Sequence, residues 1–135
     1  MDRLTPNQRS ENMRRIRGKD SAPERAVRRL LHKLGYRYRL HRRDLPGRPD
    51  IVFPTRRKVI FVHGCFWHRH PGCKFAYNPK SRLEFWSTKF RQNVERDNRA
   101  TAMLMASGWA VLVVWECETA DAKLLTSRLR AFLGD

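Results

Sequence analysis

Residues 45–68 read LPGRPDIVFPTRRKVIFVHGCFWH, and this stretch indicates how the chain folds. Its first five residues carry two prolines and a glycine, which marks a turn. A short strand is predicted over 50–53, where a proline ends it, and the continuous apolar run over 59–62 predicts a buried strand. That strand leads into His63 and a loop over 64–80 rich in Gly, Pro, Cys and His. Such a loop needs something other than an apolar core to order it.

Helical patterns flank these strands. Residues 21–24 form a capping box that contains a proline, and apolar residues at helical spacing continue from there to Gly35. A second capping box over 81–84 predicts the start of a long helix that ends at 107–108. Asp121 is placed to cap a last helix.

The elements together predict an α/β fold. Strands over 36–41 and 109–115 complete the pattern, whose order is helix, three strands, helix, strand, helix. A mixed sheet with helices on both faces fits this order best, and the most apolar strands, 59–62 and 109–115, should lie at its centre. The length of 135 residues predicts a single domain over 1–135, in which 1–20 form a basic arm.

The charge of the chain predicts a polyanionic partner. Lys and Arg number 29 against 13 Asp and Glu, which gives a net charge of +16, and most of the cations are Arg. Nucleic acid is the commonest polyanion, and the planar guanidinium group suits phosphate and guanine. Solubility alone and an anionic membrane surface are the alternatives, and so large a charge exceeds what solubility requires.

No stretch of the sequence predicts a membrane span or a secretory signal. There is no run of about eighteen apolar residues, and no apolar segment follows the basic N-terminus. A hydrophobic content of 41% argues against disorder. The expected compartment is therefore the cytoplasm.

Three cysteines and one histidine form a candidate metal site. The odd number of cysteines argues against a disulfide framework. Three thiolates and an imidazole are the closed, soft ligand set of a structural zinc site, which Cys65, His70, Cys73 and Cys117 could supply. The alternative is that the thiols are small buried hydrophobes. It suits Cys117 better than the two cysteines in the polar loop.

Asp50 is a candidate ligand for Mg²⁺. It opens one strand, and the neighbouring strand ends beside it, so the carboxylate and a backbone carbonyl such as that of Val62 could hold one cation. Mg²⁺ in proteins keeps most of its water and binds few protein oxygens plus substrate phosphate. The alternative is an ordinary turn residue.

His63 and His68 are candidates for proton transfer. Near a metal and an anionic substrate, one imidazole could accept a proton and the other could stabilise a leaving oxygen. The alternatives are a zinc ligand or a surface histidine. His32 and His41 are assigned no function, because the first lies off the apolar face of its helix and the second ends a basic strand.

Phe66 and Trp67 are large aromatic residues between those two histidines. They are either part of the core or wedges that enter a base step, unstack it and kink the duplex. Met13 in the basic arm is a third candidate wedge, with packing on its own helix as the alternative.

Five motifs, at 45–50, 63–68, 84–86, 93–97 and 115–117, carry a resemblance to a known family. The chain resembles the very-short-patch-repair (Vsr) endonucleases, from about Arg9 to Glu118. The resemblance implies a restriction-endonuclease-like αβββαβ core. It also implies an Mg²⁺-dependent DNA mismatch endonuclease that nicks one strand of a T·G-mismatched duplex, 5′ of the mispaired thymine. A monomer at the nucleoid, with mismatch-repair proteins as candidate partners, is expected.

The resemblance also assigns catalytic residues. Asp50 matches the Mg²⁺-binding aspartate, beside the backbone carbonyl of Val62. His63 matches the catalytic histidine that stands where relatives of the fold carry the lysine of their PD-(D/E)xK motif. His68 matches a second catalytic histidine near the scissile phosphate, and Glu24 matches a glutamate that supports the water shell of the metal.

The remaining assignments concern zinc and DNA. The structural zinc site is matched by Cys65, His70, Cys73 and Cys117. Residues that intercalate beside the mismatch are matched by Met13, Phe66 and Trp67. Positions that read the mismatch are matched by Lys89 and Asn93, which lie four apart and hence on one helix face.

Two rival functions stay open from the sequence. A non-catalytic, zinc-stabilised DNA-binding domain explains the charge and the cysteines, but gives Asp50, His63 and His68 no role. A sequence-specific restriction nuclease of the same fold would cut perfectly paired duplex. An RNA target is disfavoured, since no RNA-binding motif occurs.

Overall fold

A computed structural model describes residues 21–134. Met13 and the rest of the basic arm lie outside the described residues. The elements in chain order are α1 (Ala22–Lys33), β1 (Arg39–Leu40), β2 (Ile51–Phe53), β3 (Lys58–His63), α2 (Leu83–Ala106), β4 (Ala110–Trp115), a 3₁₀ turn (Glu116–Ala120) and α3 (Ala122–Leu133). None of the described helices is both long and apolar enough to span a bilayer.

The four strands form one mixed sheet in the order β1-β2-β3-β4. The first three strands are antiparallel, and β4 runs parallel to β3, with Val59 opposite Val111. The mixed α/β sheet is as predicted, but the central position predicted for 109–115 is wrong, because β4 is an edge of the described sheet. The sequence of β4 is apolar because helices cover both of its faces. An edge strand covered in this way is as apolar as a strand at the centre of the sheet.

Alternating strand residues pack against helices on opposite faces of the sheet. On one face, Ile51 and Ile60 join a core with α1 and α3. On the other, Val52, Val59 and Phe61 join a second core with Leu104 of α2. The placement of helices on both faces, predicted from the order of elements, is found in the described residues.

Two of the three predicted helix caps are present. The Ser21 hydroxyl accepts a hydrogen bond from the Glu24 N–H at 3.3 Å, and Asp121 accepts one from the Leu124 N–H at 3.1 Å. The capping box predicted over 81–84 is wrong. The N-cap of α2 is Arg82, which has a left-handed backbone (φ 54°) and makes no side-chain cap bond. Its guanidinium lies over the Phe85 ring instead, at 4.4 Å.

The first strand is shorter than the predicted 36–41. Tyr36 and Tyr38 stand edge-on against the Phe53 ring, at 6.5 and 6.3 Å, and lie outside the ladder. The chain then turns at His41, whose backbone is left-handed (φ 49°). The His41 N–H still donates to the Asp50 carbonyl at 3.2 Å, so β1 and β2 remain joined at this end.

The turn before β2 packs closely against α2. Gly47 has a positive φ of 74°, and a Cβ built on it would lie 2.7 Å from the Ala100 Cβ and 3.1 Å from the Phe61 ring. Only a residue without a side chain fits this position. The close approach fixes Asp50, three residues later, beside the end of β3.

Candidate active site and metal centres

A groove of about 870 Å³ runs between the start of α1, the ends of β2 and β3, the loop after β3, and α2. Four residues predicted to be catalytic line it together: Glu24, Asp50, His63 and His68. They come from α1, the turn before β2, the end of β3 and the loop after it, and 44 positions separate the first from the last. The fold therefore gathers residues that the sequence could only propose one by one.

One end of the groove carries carboxylates. The Val62 N–H donates to Asp50 Oδ2 at 2.7 Å, so the contact between these residues uses the amide of Val62. Burial raises the pKa of Asp50 to about 7; the Val62 N–H opposes this rise and the charge of Glu24 adds to it. Glu24 is only 3% exposed, and its Oε2 lies 2.9 Å from His41 Nε2 and 3.6 Å from Arg28 Nη1.

Glu24, His41 and Asp50 form what is here called the carboxylate cluster. Each offers one ligand atom, and the three atoms lie within 4.8 Å of one another. Two nearby carboxylates with an imidazole suit a divalent cation, which would offset their mutual repulsion. His41 was missed by sequence reasoning. It lies 17 residues from Glu24, and only the turn at His41 aims its ring at α1.

The other end of the groove carries the histidine pair, His63 and His68. Their rings stack with centroids 3.9 Å apart and planes 6° apart. Burial lowers the pKa of His63 to about 3, with a further lowering from His68, so His63 is neutral at pH 7. A neutral imidazole has a lone pair that accepts a proton.

Asp97 holds the second histidine of that pair. Its Oδ2 lies 2.6 Å from His68 Nδ1, a charge-assisted hydrogen-bond distance. The sequence assigned Asp97 no role, although it lies in one of the five motifs. Its position four residues after Asn93, on the same face of α2, is the signal that could have identified it.

Aromatic side chains form the wall beside the histidine pair. Phe66 packs edge-on against Trp67 and Phe90 at 5.2 Å, and against Trp86 at 5.7 Å. Trp67 is 8% exposed, whereas Phe66 and Trp86 are partly exposed, and all three line the groove. Trp86 belongs to the 84–86 motif but was not predicted as a wedge.

Asn93 and Lys89 take different positions on α2. Asn93 is 8% exposed, lines the groove, and donates through Nδ2 to the Trp67 carbonyl at 3.1 Å. Lys89 lies one turn earlier, is partly exposed and stands outside the groove lining. The two predicted mismatch-reading residues therefore share a helix face, but only Asn93 lies in the groove.

Cys65, His70, Cys73 and Cys117 come together in what is here called the cysteine cluster. Their ligand atoms lie within 4.8 Å of one another. His70 Nδ1 is 3.6 Å from the Cys65 sulfur and 3.4 Å from the Cys117 sulfur. Tetrahedral zinc, with Zn–S near 2.3 Å and Zn–N near 2.05 Å, places such atoms about 3.6 Å apart. The donor set and spacing therefore fit one metal ion.

Neighbouring groups hold the cysteine cluster in place. The Cys65 N–H donates to Glu116 Oε1 at 3.3 Å, and the Trp115 ring stacks on His70 at 4.3 Å. The alternative that the thiols are buried hydrophobes was expected to suit Cys117. Cys117 is partly exposed, however, and the fully buried thiol is that of Cys65, whose pKa is raised by burial to about 12.

Comparison with known proteins identifies the family. The sequence profile described as DNA mismatch endonuclease Vsr matches residues 1–74, more than half of the chain. The chain belongs to the Vsr family. Its Vsr relatives include the type II nicking enzyme V.XorIIP of Xanthomonas oryzae pv. oryzae, which is 58% identical over 132 residues, 98% of this chain and 96% of the relative.

A second Vsr relative is the DNA mismatch endonuclease Vsr of Escherichia coli K12. It is 45% identical over 130 residues, which cover 93% of this chain and 83% of the relative. The protein is therefore a DNA-cleaving hydrolase, as the resemblance implied. The profile match includes Glu24, Asp50, His63 and His68, so the family relationship covers all four groove residues predicted to be catalytic.

Proposed function

We propose that the protein is an Mg²⁺-dependent endonuclease that nicks one strand of duplex DNA at T·G mismatches, 5′ of the mispaired thymine, in very-short-patch repair. The observation that carries the proposal is the groove itself. It joins a pair of carboxylates, a stacked histidine pair and an aromatic wall, on a chain with a net charge of +16. Membership of the Vsr family, and the name of the E. coli relative, support the same conclusion.

Asp50 and the Val62 carbonyl would hold Mg²⁺, with Glu24 beside them. When bound, Mg²⁺ supplies positive charge that polarises the scissile phosphate and activates the attacking water. Asp50 suits this role because burial and Glu24 make a cation favourable there. The Val62 N–H fixes the carboxylate, since it occupies Asp50 Oδ2 at 2.7 Å.

The histidine pair would divide the proton chemistry. His63 is neutral at pH 7 and can accept a proton. Asp97 binds His68 at Nδ1, which orients the ring and leaves Nε2 as the atom that faces the phosphate. Donation from His68 would stabilise the leaving 3′ oxygen, so that the nick carries a 5′-phosphate.

The aromatic wall would detect the mismatch. A T·G pair stacks less well than a normal pair, so separating its step costs less than the usual few kcal/mol. Phe66 and Trp67 directly precede His68, and a wedge inserted there would bring the phosphate to the histidine pair. Met13 would be a further wedge, and Lys89 and Asn93 would read the exposed base edges.

The cysteine cluster would hold a structural Zn²⁺ that orders the loop after β3, which carries His68, Phe66 and Trp67. The chain would act as one domain and one monomer on chromosomal DNA in the cytoplasm. Its basic arm over 1–20 would bind the backbone, and mismatch-repair proteins are candidate partners. Binding to the backbone should be strongly salt-dependent.

Cleavage of paired T·G and T·A duplexes tests the proposal. With Mg²⁺, we expect nicking of the thymine strand of the T·G duplex and little of the T·A duplex, and no nicking when Mg²⁺ is withheld. One rival is a sequence-specific restriction nuclease of the same fold, which would cut matched duplex. Equal nicking of both duplexes would support that rival, and binding without nicking would support a DNA-binding domain.

Trp67→Ala tests the wedge. We expect it to lose the preference for T·G over T·A while its salt-dependent binding to matched DNA barely changes. Trp109→Ala is the control, because Trp109 is equally buried but packs in the core between the sheet and α2. If Trp67→Ala melts lower and still prefers T·G, Trp67 is a core residue.

A further inference from the structure

His41 occupies a position in the carboxylate cluster that is suited to direct metal binding. Its Nε2 lies 2.9 Å from Glu24 Oε2, and Glu24, His41 and Asp50 each offer one ligand atom within 4.8 Å of the other two. Adjacent ligands at 2.0–2.1 Å from an octahedral cation are about 2.9 Å apart. The observed separation therefore suits two neighbouring ligands of a single cation.

The backbone holds His41 in this position. Its φ of 49° is uncommon for a residue with a side chain and costs free energy. The His41 N–H donates to the Asp50 carbonyl, directly beyond the pairing of Leu40 with Ile51. The residue that anchors the backbone of His41 is thus the one whose carboxylate shares the cluster, so the spacing of the two side chains is fixed.

The charges around His41 favour a cation. Glu24 is almost fully buried and faces Asp50, so two carboxylates share a region of low dielectric. Arg28 also approaches Glu24, from one turn along α1, at 3.6 Å. That distance is longer than the 2.9 Å between Glu24 and His41. Arg28 and Glu24 both belong to α1, whereas His41 approaches Glu24 from the sheet side. A divalent ion between Glu24, His41 and Asp50 would offset the repulsion between the carboxylates.

We propose that His41 Nε2, Glu24 and Asp50 together ligate the divalent cation of the groove, and that this site binds Mn²⁺ more tightly than Mg²⁺ because of His41. Imidazole nitrogen is a good ligand for transition-metal ions, whereas Mg²⁺ prefers oxygen and retains its water. The inference rests on the proposed function, because it uses the same Asp50 site, and it adds a ligand and a preferred cation.

Metal binding without DNA tests the proposal apart from catalysis. Zinc-loaded protein is titrated with Mn²⁺, the free ion is followed by electron paramagnetic resonance, and Mg²⁺ is added as competitor. We expect His41→Gln to raise the Mn²⁺ dissociation constant by at least about tenfold and to narrow the preference over Mg²⁺. His32→Gln is the matched control, because His32 is exposed on α1. An unchanged Mn²⁺ dissociation constant in His41→Gln would overturn the proposal.

Nitrogen coupling distinguishes a ligand from a residue that only positions Glu24. Pulsed resonance of bound Mn²⁺ should show coupling to one ¹⁴N nucleus in the parent and in His32→Gln, and none in His41→Gln or His41→Asn. Circular dichroism melts identify any variant that fails to fold. Absence of coupling in the parent, or coupling lost in His68→Gln and kept in His41→Gln, would overturn the proposal. Nicking of T·G duplex by the parent in Mg²⁺ decides the proposed function separately.

Discussion

The cysteine cluster and the carboxylate cluster gather metal-ligating side chains in opposite ways. The cysteine cluster joins the loop after β3 to the 3₁₀ turn, offers four soft ligands, and lies outside the groove lining. The carboxylate cluster offers oxygen ligands and one imidazole, and two of its three residues line the groove. A complete ligand set stabilises a fold, whereas an incomplete one leaves positions for water and substrate.

The two clusters also differ in their effect on the free energy of unfolding. A metal ion on the cysteine cluster would contribute its binding energy to folding, because the ligands are far apart in the unfolded chain. The carboxylate cluster places two acidic groups together and raises the pKa of Asp50, which costs stability in the absence of a cation. The cysteine cluster with its metal should therefore raise the free energy of unfolding, and the carboxylate cluster should lower it.

The largest expected effect comes from breaking the cysteine cluster. Cys117→Ser should abolish binding of one zinc per chain and lower the melting temperature by more than about 10 °C, because much of the metal-binding energy is folding energy. Metal analysis and calorimetry provide the measurements. Removal of zinc from the parent by a chelator should have the same effect. Freshly purified parent without zinc, or a variant as stable as the parent, would contradict the assignment.

Asp50→Asn should separate chemistry from stability. The Asn oxygen still accepts the Val62 N–H, but the charge is lost. Nicking of T·G duplex should therefore fall by about a thousandfold or more, while DNA binding is kept and the melting temperature does not fall. Asp44→Asn is the control, since Asp44 is exposed and pairs with Arg42. Near-parental nicking by Asp50→Asn would show that the Asp50 carboxylate of this cluster is not required for cleavage.

Asp97→Asn should have an intermediate effect through His68. The Asn oxygen can still accept from His68 Nδ1, but the charge is lost. A hydrogen bond to a charged group contributes about 1.5–3 kcal/mol and a neutral one about 1 kcal/mol, so the nicking rate should fall by about twofold to thirtyfold. His68→Ala should lose at least about a hundredfold, and Asp97→Asn should add little to it. Glu95→Gln, on an exposed face of α2, is the matched control. Additive losses in the double variant would show that Asp97 acts independently of His68.

The smallest expected effect is a pH dependence of stability. The pKa of Asp50 is about 7 in the folded chain, above its usual value, so the folded state binds the extra proton and loses stability as pH rises toward 7. His63 has the opposite effect: its pKa of about 3 lowers stability as pH falls below about 6.5. The parent and the Asp50→Asn variant both contain His63, so the difference between their free energies of unfolding reports on Asp50 alone.

Urea unfolding of zinc-loaded protein, without added divalent cation, measures that difference. The stability of Asp50→Asn relative to the parent should increase between about pH 5.5 and about pH 7, and level off above it. A difference that stays constant with pH would show that Asp50 keeps an ordinary pKa in the folded chain.

The fold was predictable where local sequence decides it. The Ser21 and Asp121 caps, the end of α1 before Gly35 and the buried β3 follow from short patterns. Two predictions were wrong because tertiary contacts decided the outcome. Stacking of Arg82 on Phe85 accompanies a left-handed N-cap in place of the predicted box. Helices on both faces of β4 give an edge strand the composition of a central one.

The candidate site was predictable where residues lie close together in the chain or share a motif. The cysteine cluster follows from ligand chemistry, since His70 lies between two of the cysteines. His41 and Asp97 were missed because their partners, Glu24 and His68, lie 17 and 29 residues away. Spacing of that kind is set by the packing of α1 against the sheet and of α2 against the loop, which single-sequence patterns do not encode.

The close packing of Gly47 on α2 restricts how this nuclease can be altered by laboratory evolution. A side chain at Gly47 meets Ala100 and Phe61 at once and would also require a strained backbone, so no single compensating change restores the fit. Libraries that aim to change the recognised mismatch should keep Gly47 and Ala100 fixed. They can place diversity in the exposed residues Phe75, Tyr77 and Phe85, where added or removed volume meets solvent.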